Sequence, residues 1–179
     1  MKKSPEESSL SDVQGREDNR RLAIDKVGVK NIRYPIVVKD RSVGSQNTVA
    51  SVNMYVNLPH HFKGTHMSRF LEVLSEYDRA IAIDSLPELL GKICERLDAE
   101  DAHIELEFPY FINKIAPISK ASSLMDYQVS FVSSLGPNGY KCTVRVVVPV
   151  TTLCPCSKEI SDAGAHNQRS YVTLNVRIG

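Results

Sequence analysis

The hydrophobic period of this chain changes twice, from two residues to about 3.6 and back to two. In "NTVASVNMYVNLP", Val52, Met54 and Val56 alternate with Ser51, Asn53, Tyr55 and Asn57. That is the pattern of a strand buried on one face. Met67, Phe70, Leu71 and Leu74 then fall at i, i+3, i+4 and i+7, one side of a helix. A second helix begins near Asp84 or Ser85, either of which suits a cap, with Pro87 in its first turn. Its apolar side is Leu86, Leu89, Leu90, Ile93 and Leu97. Alternation resumes at "AHIELEFPYF", where Ile104, Leu106 and Phe108 share a face.

Turn chemistry divides the rest into strands. "VGVKNIRYPIVVKD" contains Pro35, which marks an edge strand or an extended lead-in. "DRSVGSQ" reads as a hairpin turn, and "GPNG" separates "LMDYQVSFVSSL" from "YKCTVRVVVPV" as a long hairpin. "SYVTLNVRIG" is a further strand, which can pair in the same sheet, with another subunit, or as the start of a second module. Strands around a helix pair predict an α+β fold, with two helices on one face of an antiparallel sheet. Residues 1–21 are polar and aperiodic and read as a disordered arm.

Lys and Arg number 22 against 21 Asp and Glu, and no basic block exceeds two residues, so no nucleic-acid footprint is indicated. No apolar run approaches the roughly 18 residues of a membrane span. The N-terminal lysines precede no apolar segment, so a secretory signal is not read and a cytoplasmic location is expected. Thiols there stay reduced, which turns attention to the cysteines as chemical groups.

Two of the four cysteines, Cys154 and Cys156, flank Pro155, and His166 follows on the loop beyond "SKEISDAG". Thiolate sulfur and imidazole nitrogen suit zinc and related divalent ions. "SKEISDAG" reads as one or two helical turns ending at Gly164, and a helix N-terminus favours the thiolate. Three readings stay open from the spacing: a metal site lacking a further ligand, a metal-free nucleophilic cysteine, and small core cysteines beside a loop histidine. In "KGTHMSRF", His66, Ser68 and Arg69 crowd the start of the first helix, where an anion such as phosphate can bind. The plainer reading is that Thr65 or Ser68 caps the helix and Arg69 is solvated. Cys94 and Cys142 read as small packing residues. Lys114 and Lys120 read as part of a solvated loop around two prolines, with a pocket mouth as the alternative.

"KGTHMSRF", "FPYF", "KIAP", "LMDY" and above all "PVTTLCPCSKEISDAGAHNQRS" resemble the type IB GTP cyclohydrolases of the folate pathway, from about residue 20 onward. The resemblance implies a tunnelling fold made of two such modules in tandem, assembled as homotetramers with active sites between subunits. It divides the chain into a first module over residues 22–150 and an active-site segment over 151–179 that includes the first strand of a truncated second module. The implied reaction converts GTP to 7,8-dihydroneopterin triphosphate and formate, which feeds tetrahydrofolate and queuosine synthesis. The implied metal ligands are Cys154 and His166, the metal being Zn2+, Mn2+ or Fe2+, with the remaining ligand expected beyond Gly179. Cys156 and His66 would assist proton transfer or orientation, and Ser68 and Arg69 would contact substrate. Two other outcomes are kept beside this one. A nitrile reductase of the same fold uses a cysteine nucleophile without metal, and a truncated module would have no catalysis at all.

Overall fold

The computed structural model describes residues 23–60, 64–77, 80–162, 164 and 166–178. The arm expected over 1–21 lies outside them. Six strands form one antiparallel sheet in chain order: β1 (Ile24–Asp40), β2 (Gly44–Leu58), β3 (Ala102–Ile115), β4 (Ser122–Gly136), β5 (Gly139–Leu153) and β6 (Asn167–Ile178). Two helices, α1 (Met67–Glu76) and α2 (Leu86–Leu97), lie between β2 and β3, and a short α3 (Pro155–Ile160) joins β5 to β6. This is the expected α+β architecture, and it is consistent with a tunnelling-type module.

The core forms where the alternating faces of the strands meet the helix pair. Val52, Met54 and Val56 of β2 and Ile104, Leu106 and Phe108 of β3 are all buried. Phe108 and Phe131 meet edge to face with centroids 5.3 Å apart. The predicted face of α2 is buried in full: Leu86, Leu89, Leu90, Ile93 and Leu97. α1 packs on β1 and α2, and α2 packs across β2, β3 and β4.

The face predicted for α1 needs correction. Phe70 and Leu74 are buried, but Met67 and Leu71 are 39% and 45% exposed, and Val73 is buried instead. Phe70, Val73, Leu74 and Tyr77 form a second i, i+3, i+4, i+7 set that overlaps the first. Periodicity alone does not choose between two overlapping stripes; docking against α2 and β1 turns the helix toward the second.

Pro35 does sit on an edge strand, β1. Register shifts between Ile24 and Val27 and between Val29 and Ile32 break up the ladder with β2. Asn31, with φ of 57°, occupies the second irregularity and donates its N–H to Asn53 Oδ1 at 2.7 Å. The outer edge near Ile81 is closed by the helix linker: Ile81 N–H donates to the Val37 carbonyl at 2.6 Å. Such devices keep an edge from recruiting foreign strands.

β3 runs on to Ile115, through Pro109 and into the segment read as a loop. The β2–β3 ladder ends at Ser51↔Glu107, so the missing N–H of Pro109 forfeits no rung. Beyond it, side chains replace the ladder. Thr48 Oγ1 donates to the Pro109 carbonyl at 2.9 Å, and the Gln46 amide both donates to and accepts from the Phe111 backbone. Lys120 lies at the tip of the hairpin from β3 to β4, beside an almost fully exposed Ile118.

Asp40 anchors the turn from β1 to β2. Its carboxylate accepts from Tyr110 Oη at 2.5 Å, from Ser42 Oγ at 2.7 Å, from the Ser42 and Val43 N–H groups, and from the Gln46 amide. These bonds, the Tyr110 hydroxyl first, hold the Asp40 carboxyl far below the usual carboxylate range. Burial, with the Asp40 bond adding to it, pushes Tyr110 up to about 12. A depressed folded pKa stabilises the fold above the ordinary carboxylate value, and the contribution is lost as pH falls toward the folded value. Asp40→Asn is therefore expected to lower stability at neutral pH, with the gap to the unsubstituted protein closing in strong acid. Denaturant midpoints measured across that range check it.

The helices leave part of their own face of the sheet bare. Register places Val172, Leu174, Val176 and Ile178 of β6 beside Val148, Val146, Val144 and Cys142 of β5. β6 is exposed throughout its described length. An apolar groove of about 400 Å3, lined in part by Val38, Phe108, Tyr127, Val129 and Val146, adjoins this stripe.

Candidate functional site

The β5–β6 ladder ends at Leu153↔Asn167. Cys154 and His166 are the next residue beyond each strand end, so the register leaves the two candidate donors at the same end of the ladder, on either side of the connection. That connection holds α3. Cys154 is its N-cap, in extended conformation at φ −68° and ψ 122°, and Pro155 opens the helix with the φ a first turn needs. Lys158 N–H closes the first turn on the Cys154 carbonyl at 3.2 Å. The helix is shorter than predicted. It ends at Ile160, with Ser161 already extended, and Gly164 lies in a following turn rather than at the helix end.

Cys154 is half-buried and Cys156 exposed. His166 is exposed, and its backbone N–H donates to Ser157 Oγ at 3.0 Å. Ser157 went unread in the sequence, although it lies one helical turn from Cys154. Its signal is burial: it is 2% exposed on a helix whose other described side chains are exposed.

Gly164 has φ of +75°, and an added Cβ would lie 2.2 Å from Leu153 Cδ1. Gly164→Ala is expected to cost about 1–2 kcal/mol for the left-handed backbone alone, and to push the loop that carries His166 away from Leu153. A lowered denaturant midpoint at unchanged slope checks the first effect.

The second predicted group is held elsewhere. His66 is the N-cap of α1 but makes no side-chain capping bond, and neither Thr65 nor Ser68 takes the cap position. Ser68 is exposed. Arg69 Nη1 donates to the Arg96 carbonyl at the end of α2, at 3.3 Å. Arg96 in turn pairs with Glu76 at 2.7 Å and Glu72 at 3.4 Å. Arg69 thus serves the α1–α2 junction. β2, which leads to α1, and β5, which leads to α3, run in opposite directions and are separated by two strands. Within one chain, Cys154 and His166 lie just beyond the same end of the β5–β6 ladder, whereas His66, Ser68 and Arg69 stay with the β1 side.

Cys142 is buried and Cys94 partly buried, the latter with its thiol pushed up by burial, as suits packing residues. One thiol and one imidazole beyond the same strand ends form a chemically fitting pair for a borderline divalent ion, half of a tetrahedral set. Among the described residues, no group of three or more His, Cys, Asp or Glu is arranged to hold a metal. Nor, among the described residues, is any helix long and apolar enough to cross a membrane.

The family model "Type I GTP cyclohydrolase folE2" matches residues 10–179, α3 and both candidate donors included. The chain belongs to that family. It is 70% identical over 168 residues to the GTP cyclohydrolase FolE2 of Magnetococcus marinus, covering 94% of this chain and 63% of that protein. The FolE2 of Nitrosococcus oceani is 58% identical over 172 residues, 96% of this chain and 64% of that one. The FolE2 of Methylobacillus flagellatus is 57% identical over 169 residues, again 64% of its own length. The chain therefore spans somewhat less than two thirds of these folE2 relatives.

Proposed function

We propose that this chain carries the function of a metal-dependent type IB GTP cyclohydrolase, which opens the guanine imidazole ring of GTP to give 7,8-dihydroneopterin triphosphate and formate. The observation that carries the proposal is the register of the β5–β6 ladder, which ends at Leu153↔Asn167 and so leaves Cys154 and His166 just beyond the same end. The membership of the folE2 family supplies the substrate.

In this reading Cys154 Sγ and the His166 imidazole hold Zn2+, Mn2+ or Fe2+, and the remaining donor comes from outside the described residues. The ion supplies the Lewis acidity that makes water a nucleophile near neutral pH. Cys156, exposed on the first turn of α3, would hold or pass a proton during ring opening. His66, Ser68 and Arg69 reach the same nucleotide only if the α1 end of a second copy meets α3, as in an assembly with sites between subunits. A cytoplasmic homotetramer satisfies that requirement. β6 then opens a second module, and its bare apolar stripe is the seat for that module's covering elements.

The test is direct. Intact protein is purified, its metal content measured, and GTP turnover followed by pterin fluorescence after oxidation, with and without a chelator. Metal-dependent fluorescence supports the proposal. Chelator-resistant chemistry through a cysteine nucleophile, as in a nitrile reductase of this fold, or protein with neither metal nor fluorescence, overturns it.

A further inference from the structure

We infer that Ser157 is a positioning residue that fixes His166 against α3; the inference deepens the metal reading above and rests on it. Serine gains little in a helix and competes for its backbone, and its neighbours Cys156 and Lys158 are exposed. Ser157 is instead turned inward, 2% exposed, and its Oγ accepts the His166 N–H at 3.0 Å. Buried hydroxyls need partners, and this one finds a partner nine positions along the chain.

The place of that bond gives it a consequence. The ladder stops at Leu153↔Asn167, one residue short of His166, and the turn before His166 passes through the left-handed Gly164. Ser157 is on the same short helix as Cys154, its N-cap. The Ser157 hydroxyl therefore ties the residue carrying the imidazole to the element carrying the thiol. Donor atoms must stay within about 0.5 Å of their productive geometry. A loop released from this tie spends less time in the binding arrangement, and apparent affinity falls by that fraction.

Cobalt(II) titrated into the intact protein, followed by thiolate-to-cobalt absorption, measures the effect. Ser157→Ala is expected to weaken cobalt binding roughly 10–100-fold, the range for losing a group that orients a ligand. Ser157→Thr, which keeps the acceptor oxygen, restores most of it. Hydrogen exchange at the His166 amide gives a metal-free readout: slow in the unsubstituted protein and fast in Ser157→Ala. Unchanged cobalt affinity together with unchanged exchange in Ser157→Ala overturns the inference alone. A protein with no cobalt–thiolate band that depends on Cys154 overturns the metal reading, and this inference with it. Should Ser157→Ala not fold, exchange at His166 in the unsubstituted protein decides, an open-loop rate counting against the tie.

Discussion

On the proposed metal-dependent function, Cys154→Ala is expected to strip the divalent ion and to lower GTP ring opening by roughly 10^3-fold or more. The magnitude follows from the several kcal/mol that a Lewis-acid ion contributes at a transition state, each 1.36 kcal/mol being about tenfold. Alanine removes one of the two proposed donors, and an exposed imidazole does not hold an ion alone. Cys94 and Cys142 serve as internal controls: both belong to packing, so Cys94→Ala and Cys142→Ala should keep the metal. Metal content by atomic emission, beside pterin fluorescence, reads both effects. Full metal occupancy in Cys154→Ala would end the catalytic account.

The second large effect is on stability. Phe70→Ala is expected to cost about 3–5 kcal/mol, the range for emptying a buried aromatic site. Phe70 is fully buried beneath α1 and belongs to the central cluster with Leu90 and Leu106. A loss of that size is a large share of the roughly 5–15 kcal/mol that holds a domain folded. Leu71, the next residue, was assigned to the same face by its spacing, yet it is 45% exposed. Leu71→Ala is therefore expected to cost about 1 kcal/mol or less. Denaturant unfolding of the two variants under one set of conditions separates them. Equal losses would mean that α1 is rotated from the orientation described here.

The contrast between Phe70 and Leu71 shows how far a pattern reaches. Strand alternation has one solution, because a two-residue period divides side chains into two faces and only one of them is apolar. The β2 and β3 faces were legible for that reason, as was α2, whose single stripe has no rival. α1 carries two overlapping stripes, and only the surfaces it meets select one. The segment around Lys114, read as a solvated loop around two prolines, is strand as far as Ile115. A proline stops a strand only where its missing N–H would have been a rung, and the end of the β2–β3 ladder at Glu107 is not visible in the chain.

The candidate site divides along the same line. The residue types were legible, since soft sulfur and imidazole close in sequence suit a borderline divalent ion, one of the readings the spacing left open. Their placement was not. It depends on the β5–β6 register, which leaves Cys154 and His166 just beyond the same end of the ladder, and on the Ser157 hydroxyl, which reads as an ordinary helix residue until its burial is seen. The amino-acid order by itself determined the α+β class, the edge position of Pro35 and the α2 face, because each follows from local period or side-chain chemistry. Only the tertiary structure decided which side of α1 is buried, how far β3 runs and that Ser157 holds the His166 backbone, because those depend on the surfaces and ladders that a segment meets after it has formed.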